Sequence, residues 1–340
     1  MRRSAFVVFV AALAAAALVV AQEAPVEIVP RTRPKAAPAI PEPKANIRID
    51  TNVVLVPVTV TDPLNRFVGG LEQTDFKVFE DEVEQKIISF GGEDTPLSIG
   101  IVFDTSGSMG NKLQMSRLAV AEFFKLANPE DEGFLVEFRD RPELAVPFTH
   151  NPGEIQDRLL TTQSKGSTAL LDGVTMAMSA MKKAKNPRKA LIVITDGGDN
   201  HSRYTASEVR NRVKEADVQI YAMGIYGGAN SPEELAGPSL LRDLAEPTGG
   251  RHFFTNLHDL PDIAEKIGIE LRNEYLIGYS PSNAARDGKY RKITVKVIQP
   301  PGLPKLRSYW RKGYVAPTQY SMPIRNGCYS QGRSKPCPGA

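Results

Sequence analysis

Cysteine and histidine are scarce in this chain, at two and four among 340 residues, and neither charge sign is in much surplus. His150, His201, His252 and His258 show no HExxH pattern and no paired ligand spacing, so a zinc site is excluded as the organising feature. They read as loop, surface or core residues. Forty-two Lys and Arg against 39 Asp and Glu give a formal charge of +3, which argues against a nucleic-acid binder. A hydrophobic fraction of 41% with 24% charge excludes wholesale disorder, a collagen-like chain and a polytopic membrane protein.

Proline and glycine are plentiful by contrast, at 26 and 27, and the ends of the chain hold many of the prolines. Arg2-Arg3 precede an uncharged apolar run from Ala5 to Ala21, the parts of a secretory signal peptide over residues 1–21 with cleavage after Ala21. The alternative is an uncleaved anchor, because 17 apolar residues lie at the short edge of a membrane span. No cysteine follows the run, which argues against a lipidated N-terminus. Residues 22–46 carry Pro25, Pro30, Pro34, Pro38, Pro41 and Pro43 and read as an extended linker. In the tail, 317–340, Cys328 and Cys337 lack the companions zinc needs, and in an exported protein they read as a local disulfide.

Between the ends, residues 47–95 read as β structure, with strands at Val53–Val60, Phe76–Glu80 and Gln85–Phe90. Pro57 cannot donate to a ladder, so the first of these is expected at an edge or a bulge. Residues 96–273 alternate apolar strands with amphipathic helices. Strands are expected at Ser98–Asp104, Gly133–Phe138, Glu143–Phe148, Lys189–Asp196, Val218–Ile225 and Gly250–Thr255. Helices are expected near Lys112–Ala127, Pro152–Leu160, Ala169–Lys185, Thr205–Ala216, Ser239–Ala245 and His258–Asn273. Continuous apolar strands separated by helices predict a doubly wound, mostly parallel six-stranded sheet covered on both faces. Only Arg139-Asp140-Arg141-Pro142 separates the second and third strands, too short for a crossover, so one edge strand is antiparallel. In residues 274–316 the β pattern returns at Tyr275–Tyr279, Tyr290–Ile298 and Lys305–Tyr314. Three strands on each side are too few alone, and together they predict a small β-sandwich into which the α/β domain is inserted.

Three segments at strand ends carry the chemistry. Asp104-Thr105-Ser106-Gly107-Ser108 ends the first strand of the α/β unit, Gly166-Ser167-Thr168 precedes its third helix, and Thr195-Asp196-Gly197-Gly198-Asp199 ends its fourth strand. Ligands of doubly wound sheets sit at the carboxyl ends of strands where the strand order reverses. If the first and fourth strands are neighbours there, about 4.8 Å apart, Asp104 and Asp196 overlook one crevice. Two carboxylates with the hydroxyls of Ser106, Ser108 and Thr168 form an all-oxygen set suited to a hard divalent cation, Mg²⁺ first, with Mn²⁺ or Ca²⁺ as substitutes.

At these residues the chain resembles the von Willebrand factor type A fold with its metal-ion-dependent adhesion site, over about Pro96 to Asn273. Its flanks, including VPVTVTDPLNRFVGGL, FKVFEDEVEQKI and DGKYRKITVKV, resemble a bacterial family of secreted proteins related to it. The resemblance implies that Ser106, Ser108 and Thr168 bind the ion directly, while Asp104 and Asp196 act directly or through water. It also implies a coordination position open to a ligand carboxylate and a last helix that shifts on binding. One residue departs from the pattern: Glu82 stands where the family's hairpin turn has Gly.

The leading functional expectation is therefore adhesion, not catalysis: an Asp or Glu of a protein partner completes the metal shell. The rim is expected at Gly110–Lys112, Gln163–Lys165 and Asp199–Tyr204. A serine hydrolase using Ser108, Asp196 and His252 or His258 follows the Ser, Asp, His order, yet Ser106-Gly107-Ser108-Met109-Gly110 lacks the first Gly of G-x-S-x-G. A third reading takes the five residues as caps and turns of a metal-free envelope scaffold. Localisation is expected to be secreted or in the cell envelope, with membrane attachment only through a retained N-terminal segment.

Overall fold

Val54, Val56, Val58 and Val60 share one face of an extended chain by its two-residue period, and that face is the one the first strand turns to the interior. The computed structural model describes residues 53–92, 95–225 and 232–318. The expected signal peptide (1–21), linker (22–46), residues 47–52 and the Cys328–Cys337 loop fall outside them. Before the α/β unit come β1 (Val54–Thr61), β2 (Phe76–Glu80), β3 (Val83–Gln85) and β4 (Ile87–Gly91).

The α/β unit follows as β5 (Leu97–Asp104), α1 (Leu113–Phe124), β6 (Glu132–Phe138), β7 (Pro142–Thr149), α2 (Pro152–Thr161), α3 (Leu170–Met181), β8 (Arg188–Thr195), α4 (Ala206–Glu215), β9 (Gln219–Ile225), α5 (Pro232–Ala245), β10 (His252–Thr255) and α6 (Leu260–Asn273). Then come β11 (Tyr275–Tyr279), β12 (Tyr290–Val297), β13 (Arg307–Trp310) and β14 (Gly313–Val315). Six strands form one sheet in the order β10-β9-β8-β5-β6-β7, parallel except for the β6–β7 hairpin. Along β5, Leu97, Ile99, Ile101 and Phe103 pack under α1, α2 and α6, while Val102 packs under α3, α4 and α5. Both faces are therefore dry, which is why these strands read as unbroken apolar runs. Among the described residues no helix is long and apolar enough to cross a membrane.

The flanking strands form two four-stranded antiparallel sheets, β13-β1-β11-β4 and β14-β12-β2-β3, so the α/β unit is inserted into a small sandwich. The six strands expected in these flanks become eight. Gln85–Phe90 divides at Lys86, with β3 pairing β2 in one sheet and β4 pairing β11 in the other. Lys305–Tyr314 divides in the same way at Arg311-Lys312, between β13 on β1 and β14 on β12. Such corners, where one segment leaves one sheet for another, are invisible to an alternation pattern that continues through them. Pro57 is also placed differently from expectation. β1 lies inside its sheet, but β13 begins pairing only at Val58, so Pro57 faces a partner strand on one side alone and no ladder bond is lost.

Helix α5 begins at Pro232, not Ser239, and carries Pro238 within it. Pro238 cannot donate to the helix ladder, and beside it Gly237 packs closely on the Gly197-Gly198 backbone, where an added Cβ would stand 3.2 Å from the Gly197 carbonyl carbon.

The α/β unit and the sandwich share a buried polar joint. Glu274, directly after α6, accepts hydrogen bonds from Arg188 (2.8 Å), Gln219 (2.6 Å), Thr59 (3.2 Å) and Tyr221 (3.3 Å). Arg188 also donates to the Leu271 carbonyl, and Arg251 pairs with the buried Glu270 of α6. Removing one partner of a buried pair strands the other, at about 3–5 kcal/mol. Glu274→Ala is expected to lower unfolding stability by that amount in urea denaturation, with Glu274→Ala/Arg188→Met recovering most of it.

The β2–β3 turn has both central residues left-handed, Asp81 at φ 45° and Glu82 at φ 72°. This is the backbone of a two-residue primed turn, which favours Gly. Asp81 is held to β12 by its N–H to the Lys292 carbonyl and its carboxylate to the Lys292 N–H, both 2.9 Å. Glu82 is exposed. Glu82→Gly is therefore expected to raise stability by about 0.5–1 kcal/mol, the left-handed strain less glycine's chain entropy, read as a higher urea midpoint at unchanged slope.

Candidate functional site

β5 pairs with β8 through Phe103 and Ile194 and with β6 through Asp104 and Phe138, so the strand-order reversal falls where the sequence placed it. The chain then leaves β5 through a tight turn. Thr105 donates to the Phe138 carbonyl from both its N–H (2.8 Å) and its hydroxyl (3.0 Å), and Met109 is fully buried in the core below. The segment between these anchors is short, which points Ser106 and Ser108 at one place.

Asp104 accepts from the Ser106 N–H (2.8 Å) and the Thr195 hydroxyl (2.6 Å). Ser106 and Ser108 hydroxyl oxygens lie 3.1 Å apart, and Ser108 donates to Asp196 at 2.9 Å. The other oxygen of Asp196 accepts from the Lys112 ammonium at 2.5 Å. Four of the five expected residues are thus joined by hydrogen bonds, Asp104 through the Ser106 N–H and the other three through their side-chain oxygens. Thr168 is brought alongside by its loop: Gly107 N–H donates to the Gly166 carbonyl and Lys165 N–H to the Thr105 carbonyl, both 2.9 Å.

The Thr168 loop is itself built by residues the sequence did not single out. Gly166 is left-handed at φ 81°, and an added Cβ would meet the Asp140 carboxylate at 2.4 Å. Asp140 accepts from the Ser167 N–H at 2.8 Å, a bond that holds its carboxyl below the usual range. Asn200 accepts from the Thr168 N–H at 2.8 Å and returns its own N–H to the Thr168 carbonyl at 3.0 Å. Asp140 was visible only as part of a hairpin turn, and Asn200 only as one residue of the expected rim Asp199–Tyr204. Of the expected rim, Asp199–Tyr204 is fastened to the start of α3: Asp199 accepts from Leu171 N–H and Ser202, and Asp172 accepts from the N–H groups of Arg203 and Tyr204.

Electrostatically the site is an acidic pair with one local cation. Burial pushes the Asp104 carboxyl up to about 6 against the pull of its hydrogen bonds from Thr195 and Ser106, and the charge of Asp196 adds to the rise. Among the described residues no group of three or more His, Cys, Asp or Glu gathers into a metal cluster, so any ion here would rely on hydroxyls beside two carboxylates. The Ser108 hydroxyl is engaged with Ser106 and Asp196, while His252 lies beside Glu246 at 3.7 Å. A Ser108–His pair, which a serine nucleophile needs, is not assembled.

A doubly wound, mostly parallel sheet with an oxygen-lined turn at its reversal point defines the class of α/β fold. Residues 99–198 match the model of the von Willebrand factor type A domain family. An uncharacterized protein of Borreliella burgdorferi is 27% identical over 186 residues, covering 46% of this chain and 53% of that protein. Inter-alpha-trypsin inhibitor heavy chain H4 of Bos taurus is 25% identical over 134 residues, 36% of this chain and 15% of its own length. The chain therefore spans about half or less of these relatives. Among solved structures, the vWF domain of the type V pili tip protein Mfa5 from Porphyromonas gingivalis aligns with 52% of this chain and 97% of its own, at 14% identity and a TM-score of 0.43.

The raised Asp104 carboxyl fixes a sign. Its folded value, about 6, exceeds its ordinary 3.8, so the folded protein holds the extra proton between these values and loses stability as pH rises through the window. In EDTA, Asp104→Asn is expected to be more stable than wild type at pH 7.5 by up to about 3 kcal/mol, with the difference shrinking toward pH 4. Urea denaturation at several pH values checks both size and trend.

Proposed function

We propose that this is an exported protein-binding module in which Asp104, Ser106, Ser108, Thr168 and Asp196 hold a divalent cation and a carboxylate of a partner protein completes the shell. The observation that carries the reading is the unbroken run of oxygens from Ser106 through Ser108 to Asp196, spaced 3.1 and 2.9 Å and already capped by a positive charge from Lys112. Hydroxyls beside only two carboxylates suit Mg²⁺, with Mn²⁺ or Ca²⁺ as a substitute. The Lys112 ammonium marks the place as one that a cation can enter.

The ion supplies a concentrated positive charge to the incoming Asp or Glu. The chain's residues do the rest. Asp104, held by Thr195 and the Ser106 N–H, is fixed in orientation before any ligand arrives, so little ordering remains to oppose binding. Asp140 and Asn200 hold the Thr168 loop through its Ser167 and Thr168 N–H groups. The near-neutral whole-chain charge of +3 supplies little long-range steering, which leaves selectivity to the site and its rim. Export is supported by Arg2-Arg3 and the apolar run to Ala21.

Isothermal titration of chelator-treated protein with MgCl₂ tests the metal; binding in wild type and its loss in Asp104→Ala are expected. Partner capture from intact cell envelopes should then depend on Mg²⁺ and fail with EDTA or Asp104→Ala. Equal retention under all three conditions would overturn metal-dependent adhesion in favour of the metal-free scaffold.

A further inference from the structure

Lys112 is the one feature of the site that metal binding by five oxygen ligands leaves unexplained. Its ammonium lies 2.5 Å from Asp196 Oδ2, and the two side chains are only 14% and 3% exposed. The pair is therefore largely withdrawn from water, where attraction is screened least. Asp196 Oδ1 is taken by Ser108, so both oxygens of this carboxylate are engaged in the metal-free protein. A cation entering the site has to take Asp196 from a partner that already holds it.

We propose that Lys112 is a built-in competitor for the metal, a tethered cation that holds Asp196 until a divalent ion displaces it. This rests on the reading of Asp104, Ser106, Ser108, Thr168 and Asp196 as the metal site. The backbone permits the exchange. Lys112 N–H donates to the Met109 carbonyl at 2.9 Å, and its own carbonyl accepts from the N–H and hydroxyl of Ser116, both 3.0 Å. The main chain is pinned at the start of α1, while the flexible four-carbon stem can swing the ammonium aside without moving the turn.

The exchange also has a charge logic. With Lys112 in place, the two buried carboxylates are neutralised by half. A divalent ion neutralises both, and Lys112, released but still tethered at the rim, leaves the filled site with a net positive charge. That charge favours an acidic ligand only after the metal has arrived. Lys112 thus weakens metal affinity and couples ligand attraction to metal occupancy.

The test uses the full chain, chelator-treated, with Mg²⁺ alone as the probe. Lys112→Met keeps the stem and removes the charge; it is expected to bind Mg²⁺ at least tenfold more tightly than wild type, about 1.4 kcal/mol. Lys112→Arg keeps a cation and is expected to bind no more tightly than wild type. Lys112→Gln is the second neutral variant should Lys112→Met fold poorly, and the same gain is expected of it. Metal-free Lys112→Met should melt lower than wild type yet gain more on adding Mg²⁺, since the vacated carboxylate is stranded until the ion arrives. A merely structural Lys112 would lower the melting point without tightening binding. If wild type binds Mg²⁺ and Asp104→Ala does not, but neutral variants bind equally or more weakly, the competitor proposal is overturned and the metal site stands. Absence of Mg²⁺ binding in wild type and neutral variants alike overturns the metal reading and this proposal together.

Discussion

Asp104 ends β5 and Asp196 follows β8, the neighbouring strand at the centre of the sheet, and both carboxylates lie almost out of reach of solvent. Two like charges brought into a dry place oppose folding unless each is hydrogen-bonded or neutralised. Much of the surrounding structure answers that demand. Thr195 and the Ser106 N–H serve Asp104, and Ser108 and Lys112 serve Asp196. Burial still holds the Asp104 carboxyl near 6, so the compensation is incomplete. Added positive charge beside Asp104 would relieve that residual penalty.

The loops around the pair are shaped by the same demand. Hydroxyls and backbone amides must be held at fixed places near the carboxylates, and loops hold places only when something else ties them. Here the ties are neighbouring loops. Asp140, from the β6–β7 hairpin, fills the space beside left-handed Gly166, and Asn200, from beyond β8, grips Thr168 from the other side. Gly237 of α5 lies against the Gly197-Gly198 turn, where an added Cβ would stand 3.2 Å from the backbone. The Thr168 loop and the Gly197-Gly198 turn are therefore each tied to a residue from a different connection of the fold.

The central sheet and its antiparallel edge were legible in the sequence because each leaves a local mark, apolar runs and a hairpin too short for a crossover, and short polar motifs after strands marked the turns where Asp104, Ser106, Ser108 and Asp196 are hydrogen-bonded together. Thr195 and Asp140 left none that distinguishes them. A threonine before an aspartate reads as the end of a strand, and an aspartate between arginines reads as a turn; their roles come from chain segments 91 and 27 residues away. The corners at Lys86 and Arg311 were hidden because alternation continues across them while the partner strand changes. Lys112 was placed at the rim, but a lysine beside a helix start gives no sign that it reaches into the cleft. What escaped is what depends on pairing across the fold.

Insertion into the sandwich gives the domain two ends with different characters. The site lies at the carboxyl ends of the parallel strands, and the joint to the sandwich, at Arg188, Gln219 and Glu274, lies at their amino ends. Along the eight residues of β8 the two are about 23 Å apart at the usual rise of a strand. Helix α6 runs along the same layer, and its last turn is held by the Arg251–Glu270 pair and by Arg188 on the Leu271 carbonyl. A shift of α6 driven from the site would have to loosen buried charge pairs worth about 3–5 kcal/mol when broken. The joint therefore holds the end of α6 firmly in its place. Because Glu274 contacts both units at once, no movement of the helix end can leave the sandwich unaffected.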